Sequence, residues 1–256
     1  ARGLDWKVEP GPKTDVSIAG YFFDRYEGDQ IGNLAQLGSL LKSIGCSLKA
    51  TLFSGAPYRD LTQAPSAGTL LAFPVMHPQI RRLKRWTKRE PVPTDLPMGI
   101  EGTAHWLRTV GQAAGVNAAR VEQIITAQRE RTQQRLRLSR VLLSGLRVAV
   151  FADLPHAVGL MHVLAGLGCT PVLVGIRGHT LGGIDAFTAA TERTGAATGS
   201  GLTVLENPSI HRVRTEMERL IVDRQVDAMI GSSTDINAVA TLIATTAVEI
   251  DHGGAW

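Results

Sequence analysis

Short apolar runs alternate with one-faced amphipathic runs along most of this chain. Residues 15–23 alternate apolar and polar positions and predict a strand. Ile31, Leu34, Leu37, Leu40, Leu41 and Ile44 then fall on one face of a helix over 29–43. Gly45 ends that helix, as glycine does just past a helix C-terminus. Strands follow at 48–53 and 69–73, with a turn at 54–57 between them. Residues 77–86 predict a basic helix, 91–97 a short extended piece, and 101–114 a helix.

From Asn117 to Leu143 the pattern stays helical with no internal Gly or Pro. Asn117 suits the N-cap. Val121, Ile124 and Ile125 are apolar at one end, Leu136, Leu138 and Val141 at the other, and the middle is polar. Beyond it the β-then-α rhythm resumes. Strands are predicted at 147–152, 171–176, 203–205, 228–230 and 247–250, and helices at 155–167, 209–223 and 235–244. Such alternation predicts parallel sheets covered by helices on both faces. The expected fold is α/β, with two doubly wound, Rossmann-like domains joined by a long helix. The expected divisions are an N-terminal arm at 1–13, a first α/β domain at 14–116, a linking helix at 117–144 and a second α/β domain at 145–256.

The totals fit that picture. In 256 residues, 44% are hydrophobic and 20% charged, which is globular rather than disordered. No apolar run approaches the ~18 residues that span a bilayer, so no membrane span is expected. The N-terminus has no signal-peptide core and no initiator Met, which predicts processing or an excised piece. Net charge is +4, with basic residues grouped at 81–89 and 120–147. Aromatic residues are 5% and do not interleave with these groups, so no nucleic-acid partner is expected. Cys46 and Cys169 each follow a glycine between a helix and a strand. They read as small buried residues, not a disulfide or a metal site, and the expected compartment is the reducing cytoplasm.

In open parallel sheets ligands gather at the carboxyl edge of the strands. Three loops there carry candidate chemistry. The run 175–183 holds four glycines with Arg177, His179 and Thr180, which suit an anionic group or proton donation. Glycines there let backbone approach a ligand. The run 231–235 holds Ser232 and Ser233 at a helix start, where backbone N–H groups and hydroxyls can cradle an anion. The same run also serves as a cap, with Thr234 or Asp235 at the N-cap. Asp153 and His156 sit at a third strand-to-helix junction. His105 reads as structural, and the surroundings of His252 do not follow from sequence. No Gly-x-Gly-x-x-Gly or Walker A loop follows an opening strand, so these nucleotide-binding devices are not expected. No metal site is expected in the chain itself.

Three segments together bear a family likeness. Leu96-Pro-Met-Gly-Ile-Glu-Gly-Thr-Ala-His-Trp-Leu107 resembles the Pro-x-Gly-[Ile/Val]-x-[Gly/Ala]-Thr segment of the nitrogenase component 1 family. Ser144-Gly-Leu-Arg-Val-Ala-Val-Phe-Ala-Asp153, Val158-Gly-Leu160 and Leu167-Gly-Cys-Thr-Pro-Val-Leu-Val174 resemble the run that opens its third domain. Val226-Asp-Ala-Met-Ile-Gly-Ser-Ser233 is similar to another of its strand-and-loop motifs. The likeness spans residues 15–250 in order.

That resemblance implies a subunit, or a piece of one, of a reductase driven by an ATP-hydrolysing iron–sulfur protein. The branches it implies are protochlorophyllide or chlorophyllide reduction and nitrogenase or its cofactor assembly, with the form at 99–107 favouring tetrapyrroles. It implies a paralogous component 1 chain as partner, a heterotetramer, and a 4Fe–4S or larger cluster in the full complex. The ligands of that cluster are not expected in this chain, which matches two of the family's three domains. Arg177, His179, Thr180, Ser232, Ser233, Asp153 and His156 are the expected pocket residues. Two departures argue against catalysis by the chain alone. Leu146 stands where the family's Gly-Lys-Arg motif has Lys, and residues 138–141 carry no acidic proton donor. The other reading is a non-enzymatic two-lobed module that closes on a small ligand.

Overall fold

The computed structural model describes residues 9–20, 29–52, 58–178, 183–196, 201–232, 235–237 and 239–240. It divides into two units. One comprises Ala1–Pro97 with Gly102–Gln133, and the other Met98–Glu101 with Gln134–Trp256.

The first unit runs β1 (Asp15–Ala19), α1 (Asp29–Ser43), β2 (Ser47–Leu52), α2 (Tyr58–Leu61), β3 (Thr69–Ala72), α3 (Ile80–Thr87), β4 (Val92–Pro93), most of α4 (Gly99–Ala114) and the start of α5 (Ala118–Leu143). Its strands are parallel, in the order β2-β1-β3-β4. β1 lies in the middle and is buried on both faces, so Ser17 is as buried as Val16 and Ile18. Its hydroxyl donates to the Ala64 carbonyl at 3.4 Å. Leu37, Leu41 and Ile44 of the predicted helix face are all core.

The basic helix expected at 77–86 starts later. Pro74–Gln79 forms a 3₁₀ turn with Pro78 inside it, and α-helical geometry begins at Ile80. The proline lacks an N–H and disfavours α geometry just before it, so the shorter repeat fills the gap. α5 begins as its sequence predicts, with Asn117 Oδ1 accepting from the Arg120 N–H at 3.2 Å. Only Val121 and Ile125 of its residues are buried.

The second unit runs from the end of α5 through β5 (Arg147–Asp153), α6 (Leu154–Leu167), β6 (Thr170–Arg177), α7 (Gly183–Thr194), β7 (Thr203–Glu206), α8 (Ile210–Val222) and β8 (Ala228–Ile230). Residues 235–237 and 239–240 are again helical. The strands are parallel, in the order β7-β6-β5-β8. Two apolar layers flank this sheet. Val148, Val150, Met161, Val174, Ile176 and Phe187 fill one. Phe151, Leu173, Val213, Met217, Leu220 and Val239 fill the other. The α/β class with two doubly wound parallel sheets is therefore the observed one. The strand expected at 247–250 lies outside the described residues.

The two cysteines follow equivalent helix ends. In α1, Cys46 N–H donates to Leu41 O and Gly45 N–H to Lys42 O. In α6, Cys169 N–H donates to Leu164 O and Gly168 N–H to Ala165 O. Both are the paired bonds of a Schellman end, with glycine at positive φ. The residue after that glycine turns back onto the helix, which buries a small apolar side chain there.

Candidate functional site at the carboxyl edge of the second sheet

The doubly wound order fixes where a crevice opens. β5 is followed by β6 on one side, and the chain later crosses to β8 on the other. The loops after β5 and β8 therefore leave in opposite directions. Asp153 and His156 follow β5, and Ser232 and Asp235 follow β8. Arg177 ends β6 beside Asp153, and Glu206 ends β7 beside Ile176.

Three of the helices that start at this edge meet a carboxylate of the protein itself, while α8 is capped by the Ser209 hydroxyl, which accepts from the Arg212 N–H. Asp153 caps α6: its Oδ1 accepts from the His156 N–H at 3.2 Å, and the same oxygen pairs with His156 Nδ1. Glu206 reaches the start of α7, where its Oε1 accepts from the Gly183 N–H at 2.8 Å. Asp235 serves the last helix. Its Oδ2 accepts from the Ser232 N–H at 3.1 Å and from the Ser232 hydroxyl at 2.7 Å, while its own N–H donates to Ser232 Oγ at 3.3 Å. Ile236 N–H donates to Ser232 O at 3.0 Å, the first bond of the helix. This is a reciprocal capping box. Ser232 is its N-cap, in place of the expected Thr234 or Asp235.

Asp235 is fully buried and forms an ion pair with the Arg177 guanidinium. That pair spans the end of β5, because β6 and β8 flank β5. Arg177 Nε is buried with no partner among the described residues. Among the described residues, the starts of α6, α7 and the last helix and the Arg177 guanidinium thus face Asp153, Glu206 and Asp235. A neutral or hydrogen-bonding ligand suits this edge better than a second anion.

Two glycines of the 175–183 run, Gly175 and Gly183, serve packing. Gly175 is still within β6, and a Cβ there would lie 2.4 Å from the Phe151 ring. A Cβ on Gly183 would lie 3.1 Å from Glu206 Oε1. The room these glycines leave is used by the protein's own side chains. Of the expected pocket residues, the structure brings Asp153 to His156, and Arg177 and Ser232 to Asp235. His179, Thr180 and Ser233 lie outside the described residues, as does His252. Sequence reasoning missed Glu206, whose only signal is a carboxylate at a strand end opposite a helix that begins with glycine. It also missed the pairing of Asp235 with Arg177, 58 positions apart.

Other candidates settle into structural contacts. His105 faces Asp95 at 3.5 Å. His162 is buried, with Nε2 3.0 Å from the Thr194 hydroxyl. The same hydroxyl also donates to the Ala190 carbonyl at 2.8 Å. In the first unit a pocket of about 360 Å³ lies at the amino edge of the sheet, lined partly by Lys13, Thr69, Arg89 and Glu90. The Arg89 guanidinium there donates to the carbonyls of Ala67 and Pro65.

Neither cysteine is set up as a metal ligand. Cys46 is buried and the Cys169 thiol donates to the Leu143 carbonyl at 3.3 Å. Burial raises both thiols above their ordinary range, which disfavours the thiolate that binds metal. Among the described residues no group of three His, Cys, Asp or Glu side chains could hold a metal ion. No helix of these residues is long and apolar enough to cross a membrane.

Two segments that carry the family likeness meet inside the second unit. Gly99, at φ 67°, leaves no room for a Cβ, which would lie 2.8 Å from the His162 backbone. A Cβ on Gly159 would lie 2.4 Å from the Met98 sulfur. The glycines of both segments are thus forced by one close packing.

Two parallel doubly wound units place the chain in the α/β class of folds. A family model described as nitrogenase component 1 type oxidoreductase matches residues 6–250, and the chain belongs to that family. Among curated relatives it is 34% identical over 114 residues to the light-independent protochlorophyllide reductase subunit N of Rhodopseudomonas palustris, covering 43% of this chain and 26% of that one. It is 32% identical over 146 residues to the subunit of the same name from Rhodospirillum rubrum, covering 55% of this chain and 32% of that one. Among solved structures, one titled "Nitrogenase Cp1 at pH 5" matches with a TM-score of 0.65 and 15% identity. That match covers 93% of this chain and 52% of the solved one, and it speaks to fold alone. The chain thus spans about half the length of that nitrogenase chain.

Proposed function

We propose that this chain corresponds to two of the three domains of an N-type subunit in a light-independent tetrapyrrole reductase. The observation that carries this reading is its identity with subunit N of Rhodopseudomonas palustris and of Rhodospirillum rubrum, 34% and 32% over the matched stretches. In this reading the subunit works in the cytoplasm beside a paralogous component 1 chain, as a heterotetramer. Electrons arrive from an ATP-hydrolysing iron–sulfur reductase. The described residues offer no thiolate set for a 4Fe–4S or larger cluster, so the cluster is held by residues other than these.

The chain's own contribution is a shaped surface. At the carboxyl edge of the second sheet, Asp153, His156, Arg177 and Ser232 are proposed to line the pocket, together with His179, Thr180 and Ser233. With Asp235 balancing its charge, Arg177 offers hydrogen bonds rather than net positive charge. That suits the polar rim of a large flat macrocycle.

The test is anaerobic co-expression of a whole subunit containing these two domains with a paralogous chain and the iron–sulfur reductase. ATP-dependent conversion of protochlorophyllide, followed by its absorption, is expected. Assembly without any conversion would sink the tetrapyrrole reading, and failure to assemble would sink the subunit reading.

A further inference from the structure

The Arg177 guanidinium is short of acceptors. Arginine carries five N–H donors. Among the described residues only Asp235 Oδ1 accepts from this one, through Nη2. Its Nε–H is buried and meets no acceptor among them. The side chain is 32% exposed, so part of it reaches solvent at the carboxyl edge, where parallel sheets take their ligands.

Asp235 is held from its other side. It is fully buried, and its Oδ2 accepts from both the N–H and the hydroxyl of Ser232. One oxygen thus belongs to the helix cap and the other to Arg177. A guanidinium resting on a fixed carboxylate is preorganised, which lowers the ordering cost of binding. Charge then selects the ligand group. Asp235 balances Arg177, and Asp153 lies opposite Arg177 in the strand register. A ligand carboxylate would be a third negative group beside one cation. A carbonyl oxygen supplies the missing acceptor without charge.

We infer that Arg177 recognises a carbonyl oxygen on the rim of the tetrapyrrole and that Asp235 is its positioning residue. The inference rests on the tetrapyrrole reading and adds to it the substrate group that is read. A site built to hydrogen-bond an oxygen rejects an analogue that lacks it, because its donors are left unpaired.

The experiment assembles a whole subunit containing these two domains with its paralogous chain. Binding of protochlorophyllide is followed by absorption, beside that of magnesium protoporphyrin IX, which lacks the ketone and ester of the fifth ring. Wild type is expected to prefer protochlorophyllide by roughly tenfold or more. Arg177→Met combined with Asp235→Asn removes both charges together, so neither is left buried and unpaired. With unchanged circular dichroism it is expected to bind the two tetrapyrroles alike. Arg177→Lys, which keeps Asp235 paired, is expected to lose most of the preference, because an ammonium is a point donor. In turnover these variants should raise KM with little change in kcat, since Arg177 binds the substrate and moves no proton. Asp235→Asn alone leaves Arg177 charged and unheld. It should lose the preference and let inorganic phosphate compete, which phosphate should not do in wild type.

If wild type binds the two tetrapyrroles alike, or if both Arg177 variants keep its preference, the inference is refuted while the tetrapyrrole reading stands. Phosphate competition in wild type refutes the choice of a neutral acceptor. An assembled wild-type complex that does not bind protochlorophyllide refutes the inference and the tetrapyrrole reading together.

Discussion

At the scale of single residues, glycines and one buried carboxylate decide most. Gly175 sits in mid-strand because Phe151 occupies the space of its side chain. Gly175→Ala should lower stability by roughly 1–3 kcal/mol, as overpacking does, seen as a lower denaturant midpoint with little change in slope. An unchanged midpoint would show that the ring yields freely. Asp235 is the other pivot. Asp235→Asn should cost roughly 3 kcal/mol, the low end for breaking a buried ion pair, because Arg177 keeps some contact with water. Adding Arg177→Met should recover part of that loss in a double-mutant cycle, and strict additivity would deny the coupling. The cysteines are a third case. Native Cys46 and Cys169 should react slowly with an alkylating reagent near neutral pH, with Cys46 the slower, and both should react fast once the chain is unfolded. Equal native rates would contradict their burial.

At the scale of elements, the second sheet is tied at the amino edge of β5 and β8. Arg147 makes a bidentate pair with Asp227, with contacts of 2.8 and 2.7 Å, and Arg147 N–H donates to the same carboxylate. These bonds lower Asp227 from an ordinary 3.8 to about 2. A depressed carboxylate stabilises the fold above its unfolded value, and that contribution fades as pH falls through the folded one. Stability should therefore drop between about pH 4 and pH 2, and Asp227→Asn should flatten that part of the profile. Because the pair is solvent-accessible, the effect should shrink at high salt. Helix ends show a shared local rule. α1, α6 and α7 each end on glycine in a Schellman arrangement, and α8 does so with Arg224 at positive φ. Glycine marks such an end in sequence; arginine does not, so the end of α8 is legible only from its amphipathic pattern.

At the scale of the whole molecule, the central parallel strands were legible because both their faces are buried, which writes an uninterrupted apolar run such as Val148–Phe151 in β5. Helices α1, α6 and α8 that cover them were legible from their one-faced spacing, whereas α7, which buries Phe187 and Ala190, was not read from the sequence. The 3₁₀ turn at Pro74–Gln79 was not, because a basic stretch after proline fits either repeat. Of the candidate site, the Asp153–His156 contact was within reach, since a cap and its third residue are local. The capping of α7 by Glu206 and the pairing of Arg177 with Asp235 were not, since each joins residues that only a parallel crossover brings together. In function the molecule is one part of a larger assembly on the proposed reading. The isolated chain should retain no iron–sulfur cluster after anaerobic reconstitution, read as iron and sulfide per chain, while the assembled complex should. A stable cluster on the chain alone would overturn the assignment of its ligands elsewhere.

Sequence by itself determined the α/β class, the positions along the chain of most described strands, the burial of Cys46 and the family to which the chain belongs. These follow from local periodicity and from residues that close packing forbids changing, such as Gly99 and Gly159. Only the tertiary structure decided what the carboxyl edge of the second sheet offers. Three helix starts that favour anions on paper are each satisfied by an internal carboxylate. That balance depends on which strands lie side by side, and a linear pattern does not carry it.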